Sequence, residues 1–173
     1  MLKYTGYIRK IRYYSESSHY IVALLEVEED QELLTMNGYM SNFNDYDKYA
    51  FYGDFEIHPK YGQQFKLDHY EIVLSTDEEE IIKYLSSPLF KGIGPTQAKY
   101  IVDALGENAL SLIKEDKHHL DLVKGMTVAK RELIYEVLTS NDYDQEVTQF
   151  FMGHGISSVS YTHLRAHETK ANL

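Results

Sequence analysis

The stretch Leu89-Phe90-Lys91-Gly92-Ile93-Gly94-Pro95-Thr96-Gln97-Ala98 decides how the rest of this chain is read. It leads from a short apolar end into Gly-Ile-Gly. Behind it Ala98, Ile101, Val102 and Leu105 recur at i, i+3, i+4 and i+7, the spacing of one buried helix face. Two glycines around one apolar residue let the backbone turn tightly and approach another molecule with no Cβ in the way. Pro95 suits the first turn of the following helix, where a missing N–H costs no intrahelical bond. Free amides and a helix N-terminus then point outward together, an arrangement that suits a phosphate. The plain alternative is a compact turn between packed helices, because a short glycine motif by itself is weak evidence for a ligand.

A second copy favours the ligand. Lys124-Gly125-Met126-Thr127 follows Lys91-Gly92-Ile93-Gly94 at an offset of 33 positions (Lys91 to Lys124), and Leu133, Ile134, Val137 and Leu138 form an apolar helical face behind it. A repeat at such a period is one supersecondary unit used twice. Thr127 stands where the first copy has Gly94, so the second hairpin is expected to be structural or weaker at phosphate. The pattern resembles the helix-hairpin-helix of DNA-backbone binders. That resemblance implies backbone contacts from Lys91, Gly92, Ile93, Gly94, Thr96 and Lys99 in the first copy, and from Lys124, Gly125 and Thr127 in the second.

Charge bounds the mode of contact. The 173 residues hold 17 Lys+Arg against 27 Asp+Glu, a net charge of −10. A chain that met nucleic acid with its whole surface would be basic. Any grip must therefore be local, carried by amides and a few lysines, or else the chain mainly contacts protein. With no cysteine there is neither a disulfide framework nor a thiolate metal site, in keeping with a reducing compartment. Leu2-Lys3-Tyr4 runs straight into charged, patterned sequence, unlike a secretory signal. No apolar run approaches the roughly 20 residues that span a bilayer. The expectation is a soluble, cytoplasmic chain of one or two small domains with no membrane partner.

Residues 1–74 read as β. Tyr20–Val27 is apolar and β-branched after the turn Ser15-Glu16-Ser17-Ser18. Tyr49, Phe51, Gly53, Phe55 and Ile57 alternate with polar neighbours as on a half-buried strand. Phe65 and Leu67 open another strand whose apolar phase slips to Tyr70 and Ile72, which suggests a bulge. With Lys3–Tyr14 and Leu33–Met40 this makes about five strands joined by short turns, which suits a small closed barrel of the OB type. Such barrels often stack bases on aromatic rings. The chain has 16 Tyr, and Tyr4, Tyr7, Tyr13 and Tyr14 interleave with Lys3, Arg9, Lys10 and Arg12. The plainer account is that the rings fill the barrel and the basic residues are its solvated face.

Residues 75–157 read as helical, so the fold class expected is α+β: a five-stranded OB-like barrel, then a tandem helix-hairpin-helix domain. Thr76 with Glu79 reads as a capping box, and Asp77, Glu78, Glu79 and Glu80 as first-turn acids favoured by the helix dipole. Ile81, Ile82 and Leu85 are the expected buried face. Gly106 stops the next helix, a short helix surrounds Ala109–Ile113, and a separate last helix runs from about Asp142 to Met152. His58, His118, His119 and His154 are scattered, and adjacent His118 and His119 face different sides of any helix, so no metal site is read. There is no Ser/His/Asp or Cys/His set and no G-x-x-x-x-G-K-[ST] phosphate loop.

The barrel, the loop HPKYGQQF (His58–Phe65), the segment YLSSPLFKGIGPTQAKYIV (Tyr84–Val102) and the hairpin LVKGM (Leu122–Met126), in this order, resemble the N-terminal region of RecD-like ATP-dependent DNA helicases over residues 1 to about 157. The resemblance implies superfamily 1 enzymes moving 5′ to 3′ on single strands, with two RecA-like motor domains after the helix-hairpin-helix units. ATP and Mg²⁺ belong to that motor, so this segment is expected to hold no cofactor. DNA is the implied partner, contacted without sequence preference, with other repair proteins beside it. From Val159 the chain reads VSYTHLRAHET, which resembles an in-frame translation of a transposase-based sequencing adapter, so residues 158–173 are expected to be a non-native tail. Two alternatives carry other functions. One is a stand-alone Holliday-junction-binding protein, with the same order of barrel and hairpins, and the other is a protein-interaction module, which the charge of −10 permits.

Overall fold

The computed structural model describes residues 1–153, and the side chains of residues 1–140. The tail expected to be non-native, and His154–Ser157 before it, lie outside the described residues. The chain divides into a β unit, built from Met1–Asp45 and Tyr49–Ile72, and a helical unit, built from Tyr46–Lys48 and Val73–Asn141.

Five strands close the β unit: β1 (Leu2–Tyr14), β2 (Tyr20–Val27), β3 (Leu33–Tyr39), β4 (Lys48–His58) and β5 (Gly62–Val73). Their order around the barrel is β1-β2-β3-β5-β4. β1 pairs antiparallel with both β2 and β4, and closure comes from a short parallel pairing in which Met36 and Asn37 face Phe65 and Lys66. β1 pairs with β4 through its first half and with β2 through its second, so a closed barrel needs it to bend along its length. β1 does so through register shifts between Ile8 and Lys10 and between Ile11 and Tyr13, the effect a bulge has on a ladder. Gly6 lies at the shared segment, where an added Cβ would come within 2.0 Å of the Glu26 carbonyl oxygen. No side chain fits there.

Alternation supplies the barrel core. Ile21, Ala23 and Leu25 of β2 meet Ile8, Met36, Tyr49, Phe51, Phe65, Leu67 and Tyr70. The phase change expected in β5 is present, with Phe65 and Leu67 buried and then Tyr70. The expected burial of Ile57 is not: it is 85 % exposed. β1 begins at Leu2, opposite Gly53, so the last residues of β4 have no β1 backbone beside them.

The helical unit runs α1 (Glu78–Leu85), α2 (Pro95–Leu105), a 3-10 turn at Gly106–Asn108, α3 (Ala109–Glu115), a second 3-10 turn at Lys117–Leu122, and α4 (Val128–Gly153) as far as Asn141. Its core gathers Ile81, Leu85, Phe90, Ile93, Ala98, Ile101, Val102, Leu110, Ile113, Leu120, Ile134 and Leu138. Each of these side chains other than Ala98 contributes about 1.5–3 kcal/mol on leaving water. Two expectations are corrected. The N-cap of α1 is Asp77, one residue after Thr76, and its carboxylate accepts the Glu80 N–H at 3.0 Å. Glu80 returns towards the cap through Ser75, whose hydroxyl donates to the Glu80 carboxylate at 2.6 Å and accepts the Asp77 N–H at 3.2 Å. The separate helix expected at Asp142–Met152 is the continuation of α4. Val128 to Met152 contains neither glycine nor proline, so nothing in the backbone interrupts it.

Candidate nucleic-acid interface

The loop between α1 and α2 is shaped by backbone bonds. The Phe90 N–H donates to the Ser87 carbonyl at 3.1 Å and the Ile93 N–H to the Phe90 carbonyl at 3.2 Å. Gly92 turns the chain in the left-handed region, φ 85°, where an L side chain is strained. Gly94 is the N-cap of α2, in extended backbone that any residue adopts, and the Ala98 N–H donates to its carbonyl at 3.0 Å.

The second loop repeats these bonds at the offset the sequence carries. Val123 N–H donates to Leu120 at 3.0 Å, Met126 N–H to Val123 at 3.2 Å and Arg131 N–H to Thr127 at 2.9 Å, while Gly125 takes φ 77°. One backbone path is thus used twice.

The side chains make the loops different. The first turn of α2 has no side-chain hydrogen bond at its cap and begins with Pro95, which has no N–H. Its Thr96 and Gln97 amides belong to the orphan donors that any helix start exposes. Gly92 and Gly94 face open space, with nothing within 4 Å of an added Cβ. In the second loop the Thr127 hydroxyl accepts the Lys130 N–H at 3.2 Å and so occupies one donor of α4.

Carboxylates brace the second loop. Arg131 Nη1 lies 2.9 Å from the Asp121 carboxylate and its Nη2 3.2 Å from Glu132, and Lys117 Nζ lies 3.0 Å from Glu132. Hydrogen bonds from His118 and then Arg131 hold Asp121 below the usual carboxylate range, and Lys117 does the same for Glu132. Asp121, then Glu132, raise the Arg131 guanidinium. On α1, Ser75 first and then Lys48 lower Glu80.

Of the residues expected to contact a phosphate, Lys91, Gly92, Gly94, Thr96, Lys99, Lys124, Gly125 and Thr127 are exposed. Ile93 is not, at 4 % exposure, and its N–H is already spent on Phe90, so it anchors the loop from inside. Sequence reasoning missed Gln97. Its Nε2 donates to the Lys124 carbonyl at 3.0 Å and its Oε1 lies 3.5 Å from Lys130 Nζ, while Lys124 Nζ sits over the Tyr100 ring, 5.4 Å from the centroid. Gln97 and Lys130 occupy equivalent positions of the two copies at the same offset of 33, which is the one trace the sequence holds of their meeting.

On the barrel the interleaved aromatics divide. Tyr4 packs edge-on against Phe65 at 5.3 Å and Tyr14 against Phe43 at 5.0 Å, as core. Tyr13 is 56 % exposed and leads a row of rings, to Tyr20 at 6.3 Å and on to Tyr39 at 5.5 Å. Arg9 is paired with Glu26 and covers Tyr7, so its charge is partly spent. At the turn His58-Pro59-Lys60-Tyr61, the His58 Nδ1 accepts the Lys60 and Tyr61 N–H groups at 3.1 and 3.2 Å. Among the described residues no cluster of three His, Cys, Asp or Glu could hold a metal ion, and no helix is long and apolar enough to cross a membrane.

Strand order, closure between β3 and β5, and length combine into one recognisable domain type. Residues 1–75 match the family described as the OB-fold domain of the ATP-dependent DNA helicase YrrC, a match that covers the five strands and ends before α1.

Proposed function

We propose that this chain is the DNA-binding N-terminal part of a RecD-like, ATP-dependent 5′–3′ DNA helicase, and that its helical unit is a tandem helix-hairpin-helix gripping the DNA backbone. The observation that carries this reading is the first loop: Gly92 and Gly94 with open space above them, exposed Lys91 beside them, and a helix start whose cap uses no side chain. Amides, a helix dipole and a lysine favour an anion of no particular sequence. The helicase OB-fold match over residues 1–75 supports DNA as that anion's source. Contacts of this kind position a protein on the backbone and read no bases.

On this reading ATP hydrolysis and Mg²⁺ belong to motor domains of the parent protein, and no residue of this chain is assigned to them. Other repair proteins are its further partners, the cytoplasm is its compartment, and residues 158–173 carry no role. The test is a fluorescence-anisotropy titration of the full chain with duplexes of unrelated sequence at several salt concentrations. The expected result is binding that ignores sequence, falls steeply with salt, and weakens in Lys91→Glu and Gly94→Glu. Unchanged binding in both variants leaves the loop as a structural turn and overturns the proposal.

A further inference from the structure

We infer that Gln97 is a positioning residue for this grip, holding the second loop against the start of α2 so that lysines from two loops form one cationic surface. The inference rests on the backbone-grip reading above. Gln97 stands in the first turn of α2, three residues after the cap Gly94. Both ends of its side-chain amide are spent on the second loop, the nitrogen on the Lys124 carbonyl at 3.0 Å and the oxygen towards Lys130 Nζ at 3.5 Å. Tyr100, one turn further along α2, lies under Lys124 Nζ. Gly125 completes the seat, since a Cβ there would already touch Gln97 Oε1 at 3.4 Å.

The chemistry of the residue matters as much as its place. In a chain of net charge −10, lysines gathered from both loops attract a polyanion more strongly than those of either loop alone. Joining the loops brings Lys124 and Lys130 beside the α2 start, but like charges resist being gathered. A carboxylate at position 97 would relieve that repulsion by neutralising the lysines, and would repel the Lys124 carbonyl oxygen. An amide donates to the carbonyl and accepts from the ammonium while leaving the positive charge intact. Neutral Gln97 therefore joins the loops without cancelling the field they share.

The experiment measures duplex affinity of the full chain across a salt series, with a thermal melt of every variant. Q97A is expected to bind three- to tenfold more weakly at low salt. Its plot of log K against log salt should be shallower by about 0.9 for each phosphate contact released. Lys130→Met added to Q97A should cost less than it does in the wild type, because the two side chains act as one unit. If Q97A lowers the melting temperature, the near-isosteric Q97E replaces it, and its expected loss is larger because it also neutralises the lysines. Wild-type affinity and salt slope in these Gln97 variants, with Lys91→Glu still weakened, overturns the positioning role. If Lys91→Glu and Gly94→Glu are also without effect, the backbone-grip reading falls and takes this inference with it.

Discussion

The two loops of the helical unit share one backbone and differ in how their helices are capped. Both turn on a left-handed glycine, Gly92 or Gly125, and both close the same three backbone bonds. At the cap itself the first loop has Gly94 and no side-chain bond, and the second has Thr127 with its hydroxyl on the Lys130 amide. A capped helix start is steadier, by typically about 1 kcal/mol for threonine over alanine. An uncapped one keeps its donors for another molecule. The second loop also carries the ion pairs of Arg131 and Lys117, which stiffen it from within. One backbone path used twice thus has a helix start without a side-chain cap in the first copy and a capped, ion-paired one in the second.

The largest expected effect tests that difference directly. Gly94→Glu should weaken duplex binding more than tenfold and Thr127→Glu less than threefold, read by anisotropy at low salt. The fold should survive Gly94→Glu, because the backbone there is extended and the added Cβ meets open space. A carboxylate in the first turn even favours the helix dipole. Equal losses in the two variants would erase the functional contrast.

Next comes the feature the loops share. Gly92→Ala should destabilise the protein by about 1–2 kcal/mol in urea denaturation, the cost of a Cβ in the left-handed region. Gly125→Ala should cost a similar amount, since its added Cβ meets Gln97 Oε1 only at an ordinary contact distance of 3.4 Å. A negligible cost at either site would mean that the two backbones are not equivalent.

Exchanging the caps sharpens the comparison further. Thr127→Ala should lose about 1 kcal/mol of stability with little change in binding. Gly94→Ser should gain a few tenths of a kcal/mol while binding several-fold more weakly, because the new hydroxyl takes up an amide that the proposed phosphate contact needs. Stability and affinity moving together at position 94 would contradict the account.

The smallest effect is on acid sensitivity. Glu80 before the first loop, and Asp121 and Glu132 in the second, are carboxylates held below their ordinary range. Their contribution is present above the unfolded carboxylate pKa and is lost as pH falls through the lower folded values. Denaturation midpoints at pH 7, 5 and 3 should therefore fall towards acid, and Asp121→Asn should flatten part of that fall. These groups are largely exposed, so solvent screening keeps the change slight. A steeper fall in Asp121→Asn than in the wild type would reverse the sign.

Much of this was legible along the chain because it is local. A strand's alternation is visible in its own residues, so Tyr20–Val27 and the buried set Tyr49, Phe51 and Gly53 could be read directly. Glycines at 92 and 125 mark left-handed turns because few other residues go there. Local rules also slipped where two candidates stood side by side: Thr76 and Asp77 both suit a cap, and it is the Asp77 carboxylate that accepts the Glu80 N–H. Ile57 has the pattern of a core residue but lies beyond the reach of β1.

By itself, then, the sequence determined the two classes of structure, their order, and a glycine loop used twice, since periodicity and turn chemistry act over a few residues. Only the tertiary structure decided the parallel closure of β3 on β5, the burial of Ile93, and the seating of the second loop on Gln97. Each of these joins surfaces that become neighbours only after the elements between them have folded. Gln97 and Lys130 meet 33 positions apart, and no rule of local pattern records which side chains will face each other across that distance.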